Sequence, residues 1–208
     1  MLSPEFKVFK AFLKSPSKEL YGRQIDSLTG INHERAVAYE NRLVEHGALI
    51  REKKGVQVFY RVNTQNEIAR KALSVAELER KIDFIKKTSN GLSLYSLVSD
   101  MVKAGGAGVY FVILFGSMAR GEVRESSDID LLFVLHKNGK TREKIGGIIR
   151  RIVNASGDRF SFHSILLSEL EKQWLKEPVY RNIWDERVVL FGEENFWQFV
   201  LKNGEPHG

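Results

Sequence analysis

Apolar residues near the start of the chain recur at helical spacing. Phe6, Val8, Phe9, Phe12 and Leu13 predict a helix between Leu2 and Leu13, stopped by Ser15-Pro16-Ser17. A second helix is expected from about Ser17 to Leu28, closed by Thr29-Gly30. A third runs from Asn32, a good N-cap, through His46, with Val37, Leu43 and Val44 on one side and Gly47 just past its end. Leu49-Ile50-Arg51, the glycine turn at Lys53-Lys54-Gly55, and alternation over 56–62 predict a β-hairpin. From Asn66 to Lys87, Ile68, Ala72, Val75, Ile82 and Ile85 form an apolar seam on a long helix. That seam can pack on either neighbouring region or on a second copy of the chain. A short helix, Leu92 to Val102, leads into a flexible joint at 105–108.

Beyond the joint the pattern changes. Val109–Phe115 is an unbroken apolar run, as expected of a strand buried on both faces. Asp128–Leu135 and Phe160–Leu167 predict two more strands, and Arg187–Phe191 a late one. Helices fit Thr141–Asn154, Ser168–Lys176, Val179–Trp184 and Glu193–Lys202, with a frayed tail after them. The alternation predicts an α/β or α+β domain. The expected domains are 1–65, a helical linker 66–108, and 109–208.

Composition narrows the class. Of 208 residues 43% are hydrophobic and 11% aromatic, enough for buried cores. There is no cysteine, which excludes disulfides and thiolate zinc sites. Glu5 and Lys7 break the N-terminal apolar run, so no signal peptide is expected. No apolar stretch is long enough to span a bilayer, and a cytoplasmic protein with no membrane partner is the expectation. The net charge of +6 is uneven. Residues 1–65 carry 11 Lys/Arg against 7 Asp/Glu, whereas 109–208 carry 14 against 14. A basic half joined to a neutral half predicts that the first meets a polyanion, although a solvated lysine-rich surface gives the same sum.

The candidate chemistry lies where the first apolar strand ends. Gly116 permits a close backbone turn, Ser117 opens a helix, and free N–H groups beside a hydroxyl suit phosphate. Arg120, three residues on, shares the face of Ser117 and can reach the same anion or pair with an acid. Asp128 and Asp130 stand two apart at the opening of the next strand, so both carboxylates point one way. Adjacent carboxylates repel unless a proton or a cation intervenes, and oxygen ligands beside phosphate suit Mg²⁺.

The string Gly116-Ser117, ten residues, then Asp128-Ile129-Asp130 resembles the minimal nucleotidyltransferases of the DNA polymerase β-like superfamily, down to Ala119-Arg120-Gly121 and Ser126-Ser127. The resemblance implies a small mixed sheet flanked by helices. It also implies Mg²⁺ (or Mn²⁺), a nucleoside triphosphate, and transfer of a nucleoside monophosphate to a hydroxyl. Gly116, Ser117 and Arg120 would bind nucleotide, and Asp128 and Asp130 would be catalytic metal ligands. Active members usually carry a third carboxylate on a later strand. Here that strand offers Ser161 and His163, with Asp158 just before it. His163 can serve as a base in place of the acid, or stand as a partly buried structural residue, and the second reading is preferred.

The helix–helix–helix–hairpin order over about 4–63 resembles a winged helix-turn-helix domain, on Leu20-Tyr21-Gly22-Arg23-Gln24-Ile25, the 43–50 segment and 59–63. That resemblance implies double-stranded DNA as a partner. The third helix would present Asn32, His33, Arg35, Tyr39 and Arg42 to the major groove, with Asn32 as an alternative cap. Lys53, Lys54 and Gln57 on the wing would meet the DNA backbone or minor groove. The expected fold is therefore α+β in two domains: an N-terminal winged helix, a linker helix, and a C-terminal nucleotidyltransferase-like mixed sheet flanked by helices. A homodimer through the linker helix or the winged helix is compatible. Three functions follow: a DNA-targeted Mg²⁺-dependent nucleotidyltransferase, a DNA-binding transcriptional regulator that only binds nucleotide, and an antitoxin-like modifier of a partner protein.

Overall fold

A computed structural model describes residues 4–122, 128–136, 139–156 and 160–206. Ser126, Ser127, Asp158 and Arg159 lie outside the described residues. The chain divides into two compact units: Met1–Glu77 with Trp197–Glu205, and Leu78–Phe196 with Pro206–Gly208. The helical segment 66–108 contributes to both.

The first unit opens with a 3-10 helix, Pro4–Phe12, that buries Val8, Phe9 and Phe12. The expected second helix does not begin at Ser17. Leu20–Tyr21 is instead a short strand, β1, and helix α1 spans Gly22–Thr29. Two interactions explain the change: β1 pairs with Phe59 and Tyr60, and the Gln24 side chain accepts from Tyr21 N–H at 3.0 Å, so that α1 begins about five residues later than expected. Helix α2, His33–Glu45, starts where Asn32 Oδ1 accepts from Glu34 N–H at 3.0 Å. Ala36, Glu40 and Leu43 are its buried positions. β2 (Leu49–Lys54) and β3 (Gln57–Val62) form the expected hairpin, giving an antiparallel sheet in the order β1-β3-β2. Gly55 turns it with φ 63°, and Val56 at the tip is 97% exposed. The end of the chain is not frayed through 205, since Ser17 N–H and hydroxyl both donate to the Glu205 carboxylate.

Helix α3, Glu67–Lys87, packs differently from its expected seam. Ala69, Ala72, Leu73 and Ala76 are buried, while Ile68 and Ile82 are 39% and 40% exposed. Small side chains permit close approach, so the alanine stripe faces the packed side.

The second unit is built on a four-stranded sheet in the order β6-β5-β4-β7. β4 (Val109–Phe115) is antiparallel to β5 (Ile129–Leu135) and to β7 (Val188–Phe191), while β5 and β6 (Phe160–Leu166) run parallel. The parallel pair needs a crossover, supplied by α6 (Gly139–Ser156). Alternation sorts the side chains. Val112, Leu114, Leu131, Phe133 and Leu135 form one core with α4 (Gly91–Gly105) and α6. Helix α4 runs through the expected flexible joint to Gly105, and 106–108 is a 3-10 turn with Gly108 buried. Alternate sheet residues face the other way, toward α7 (Leu167–Gln173) and α8 (Pro178–Glu186). Trp174 and Trp184 are fully buried and meet edge to face at 6.3 Å. Among the described residues, no helix is long and apolar enough to cross a membrane.

Candidate active site at the glycine–serine corner

The site assembles at one end of the sheet. β4 ends at Phe115, whose register partner is Asp130 on β5, and Asp130 is paired on its other side with Ser161 of β6. Gly116 follows with φ 76°, a conformation that L side chains rarely adopt. A Cβ on Gly116 would collide with Asp130 Oδ2, so the carboxylate occupies the space left by the absent side chain. Glycine is needed here twice over, for its φ and for the approach of the acid. The chain thus brings Gly116, Ser117 and Asp130 together across twelve residues of intervening sequence. Asp128 precedes β5 and is exposed.

The helix after the corner, α5, is a single turn, Gly116–Ala119. Gly121, at φ 77°, ends it. Four residues carry too little aligned dipole to draw an anion strongly, so the expected helix-start contribution is small and the N–H groups themselves matter. The first of them is already engaged. Gly116 N–H donates to Glu186 Oε2 at 2.9 Å, and Arg120 Nη1 donates to Glu186 Oε1 at 2.6 Å. Arg120 Nε also donates to Glu122 at 2.9 Å. Glu122 and Glu186 together hold the guanidinium pKa above its ordinary value. Arg120 is therefore paired with two carboxylates while its side chain remains exposed. Glu186 was not among the expected site residues. It closes α8, 70 residues downstream of Gly116, and no local spacing links the two.

On the same sheet face lies a cleft of about 460 Å³, lined in part by Phe115, Leu132, Arg142, His163 and Tyr180. That volume suits a small organic ligand. Arg142 spans its edge, donating to Glu169 at 3.2 Å and to Ser164 at 3.4 Å. His163 is exposed and stands 6.3 Å, centroid to centroid, from the Phe115 ring. The structural, partly buried role expected for it is not what β6 provides: as an edge-strand residue it opens into the cleft. Among the described residues, no group of three or more His, Cys, Asp or Glu side chains is placed to hold a metal.

In the first unit the expected DNA contacts separate. Arg35, Tyr39 and Arg42 share one face of α2, alongside its buried positions, with Tyr39 half-buried and Arg42 5.8 Å over the Tyr39 ring. Asn32 caps the helix. His33 Nδ1 is 2.6 Å from Asp26. Arg42 lies 3.8 Å from Glu5, and Lys54 bonds Glu19 at 2.5 Å. Lys53 and Gln57 are exposed on the hairpin. Glu40 is turned inward rather than toward a ligand.

Comparison with known proteins agrees with the geometry of the second unit. Residues 94–190 match the nucleotidyltransferase domain. A protein of Methanocaldococcus jannaschii named as a protein adenylyltransferase is 33% identical over 98 residues, which span 46% of this chain and 67% of the relative. No solved structure matches the chain. With a corner glycine filled by an aspartate from the neighbouring strand, and with that relative covered over two thirds of its length, the chain belongs to the nucleotidyltransferase family.

Proposed function

We propose that this chain transfers a nucleoside monophosphate from a nucleoside triphosphate to a hydroxyl, with Mg²⁺ or Mn²⁺. The observation that carries the reading is the seat of Asp130 in the space of the missing Gly116 side chain. It sets a carboxylate at the same corner whose backbone N–H groups suit phosphate. Asp128 and Asp130 supply only oxygen donors. Mg²⁺ commonly takes one or two carboxylates and completes its shell with phosphate oxygens and water, so two acids fit. When bound, the ion would offset the charge that develops as pyrophosphate leaves. Ser117 and the Gly116 N–H would hold the polyphosphate. The cleft beside Phe115 and Tyr180 would receive the nucleoside. The triphosphate must take the place of the Glu186 carboxylate at Gly116 N–H. Adenylate is the first candidate because the relative from M. jannaschii is named for that group, and its name also makes a protein hydroxyl the first acceptor to try.

In the first unit, the shared face of Arg35, Tyr39 and Arg42 and the exposed Lys53 and Val56 support contact with duplex DNA in the manner of a winged helix. The exposed positions of α3 are compatible with a homodimer. A second reading, a nucleotide-binding regulator without turnover, is favoured by one observation: β6 offers Ser161 rather than a carboxylate beside Asp130.

The test uses ATP, CTP, GTP and UTP, each labelled at the α-phosphate, with Mg²⁺ and candidate protein acceptors. Transfer that disappears in Asp130→Asn supports the enzyme. Metal-dependent binding without transfer selects the regulator, and a chain that ignores all four triphosphates overturns both.

A further inference from the structure

β6 carries two polar side chains on the Asp130 face of the sheet. Phe160, Phe162 and Leu166 pack against the α4–α6 core, so Ser161 and His163 between them face the opposite way. Register sets Ser161 directly beside Asp130 and His163 beside Leu132, one of the cleft-lining residues. Neighbouring strands lie about 4.8 Å apart. A hydroxyl thus stands one strand spacing from the acid that the proposed function sets against the triphosphate. His163 Nε2 is 3.4 Å from Ser161 Oγ. That is long for a tight bond, but a nucleophile and its base are often loosely paired before the reactant binds. The imidazole also opens into the cleft, where its ring can move without disturbing a packed core.

We propose that Ser161 is itself an acceptor: the chain places a nucleoside monophosphate on its own Ser161 Oγ, with His163 as the base. The inference rests on the nucleotidyl-transfer reading above. In the step, the Ser161 hydroxyl proton passes to His163 Nε2 and Ser161 Oγ forms a bond to the α-phosphorus. The bond from that phosphorus to the bridging oxygen breaks, and pyrophosphate departs with the electron pair. The imidazolium then releases its proton to water. His163 needs the tautomer with hydrogen on Nδ1, which leaves Nε2 free to accept. The product is a phosphodiester on β6 whose nucleoside remains in the cleft of about 460 Å³. It fills the site that made it, so each chain reacts once. Other hydroxyls among the described residues are near, including that of Tyr180, which lines the cleft and donates to Gln173. Ser117 stands at the corner, and Ser164 faces away from Asp130, where it accepts from Arg142.

The full chain is incubated with ATP and Mg²⁺, and intact mass and peptide mapping locate any adduct. ATP affinity is measured separately for every variant. One adenylate per chain on the Ser161 peptide is expected. It should be absent in Ser161→Ala, retained in part in Ser161→Thr, and formed on the order of 100-fold more slowly in His163→Ala. Added imidazole should restore much of that last rate. An adduct on another residue, or none on a chain that binds ATP, overturns the assignment while leaving the nucleotide site standing. A chain that binds no ATP overturns both.

Discussion

At the scale of single residues, the site turns on what Gly116 lacks. Its φ of 76° and the approach of Asp130 Oδ2 both exclude a side chain. Gly116→Ala should lower stability by about 1–3 kcal/mol, read as a shift in the thermal or denaturant midpoint, and should abolish ATP binding even where the variant remains folded. The need for a glycine is legible in the sequence as a turn between an apolar strand and a polar segment. The identity of the atom that fills the space is not, because it comes from the next strand. Glu186 was hidden more thoroughly. Its two oxygens take the Gly116 N–H and Arg120, groups that a phosphate would otherwise use. Replacing it with alanine removes a competing anion, so Glu186→Ala should tighten ATP binding by roughly tenfold, about 1.4 kcal/mol. Titration calorimetry measures it, and weaker binding would mean that Glu186 instead holds the corner in shape.

At the scale of elements, most of the architecture was written in periodicity. The apolar run over 109–115, the hairpin around Gly55 and the Asn32 cap all appear where the pattern put them. The failures share a cause. The second helix was expected from about Ser17, just after the stop at 15–17, but pairing with β3 drew Leu20–Tyr21 into a strand. The seam of α3 was right at Ala72, but Ile68 and Ile82 are exposed, and Ala69, Leu73 and Ala76 hold the buried side with Ala72. Helix α2 hides an acid that its sequence did not mark as internal. Burial pushes the Glu40 pKa up, and the Tyr60 hydroxyl beside it is pushed up to about 12. A carboxyl whose folded pKa is raised favours the folded state below its unfolded value and loses that contribution as pH rises through the interval between the two. Glu40→Gln should therefore raise the melting midpoint at neutral pH by a few degrees. The gain should vanish as pH falls toward the ordinary value of 4.5. Melting curves across that range check it, and a gain independent of pH would reject the cause.

At the scale of the whole molecule, charge is the feature that no single contact expresses. The first 65 residues hold a net of +4 and the last hundred a net of zero. If the basic half meets duplex DNA, affinity should fall by about 10³-fold between 50 and 200 mM salt for some six phosphate contacts, followed by fluorescence anisotropy with a labelled duplex. Affinity that does not respond to salt would exclude phosphate-dominated binding. The sequence by itself determined the kind of chemistry available: a glycine–serine turn, two acids two residues apart, apolar strands to carry them, and no cysteine. Those features are local, and spacing along the backbone is enough to read them. Only the tertiary structure decided which atoms meet. It brought Asp130 under Gly116, Glu186 onto the corner and Ser161 alongside Asp130, because strand register and helix docking are settled by packing between segments that the sequence keeps far apart.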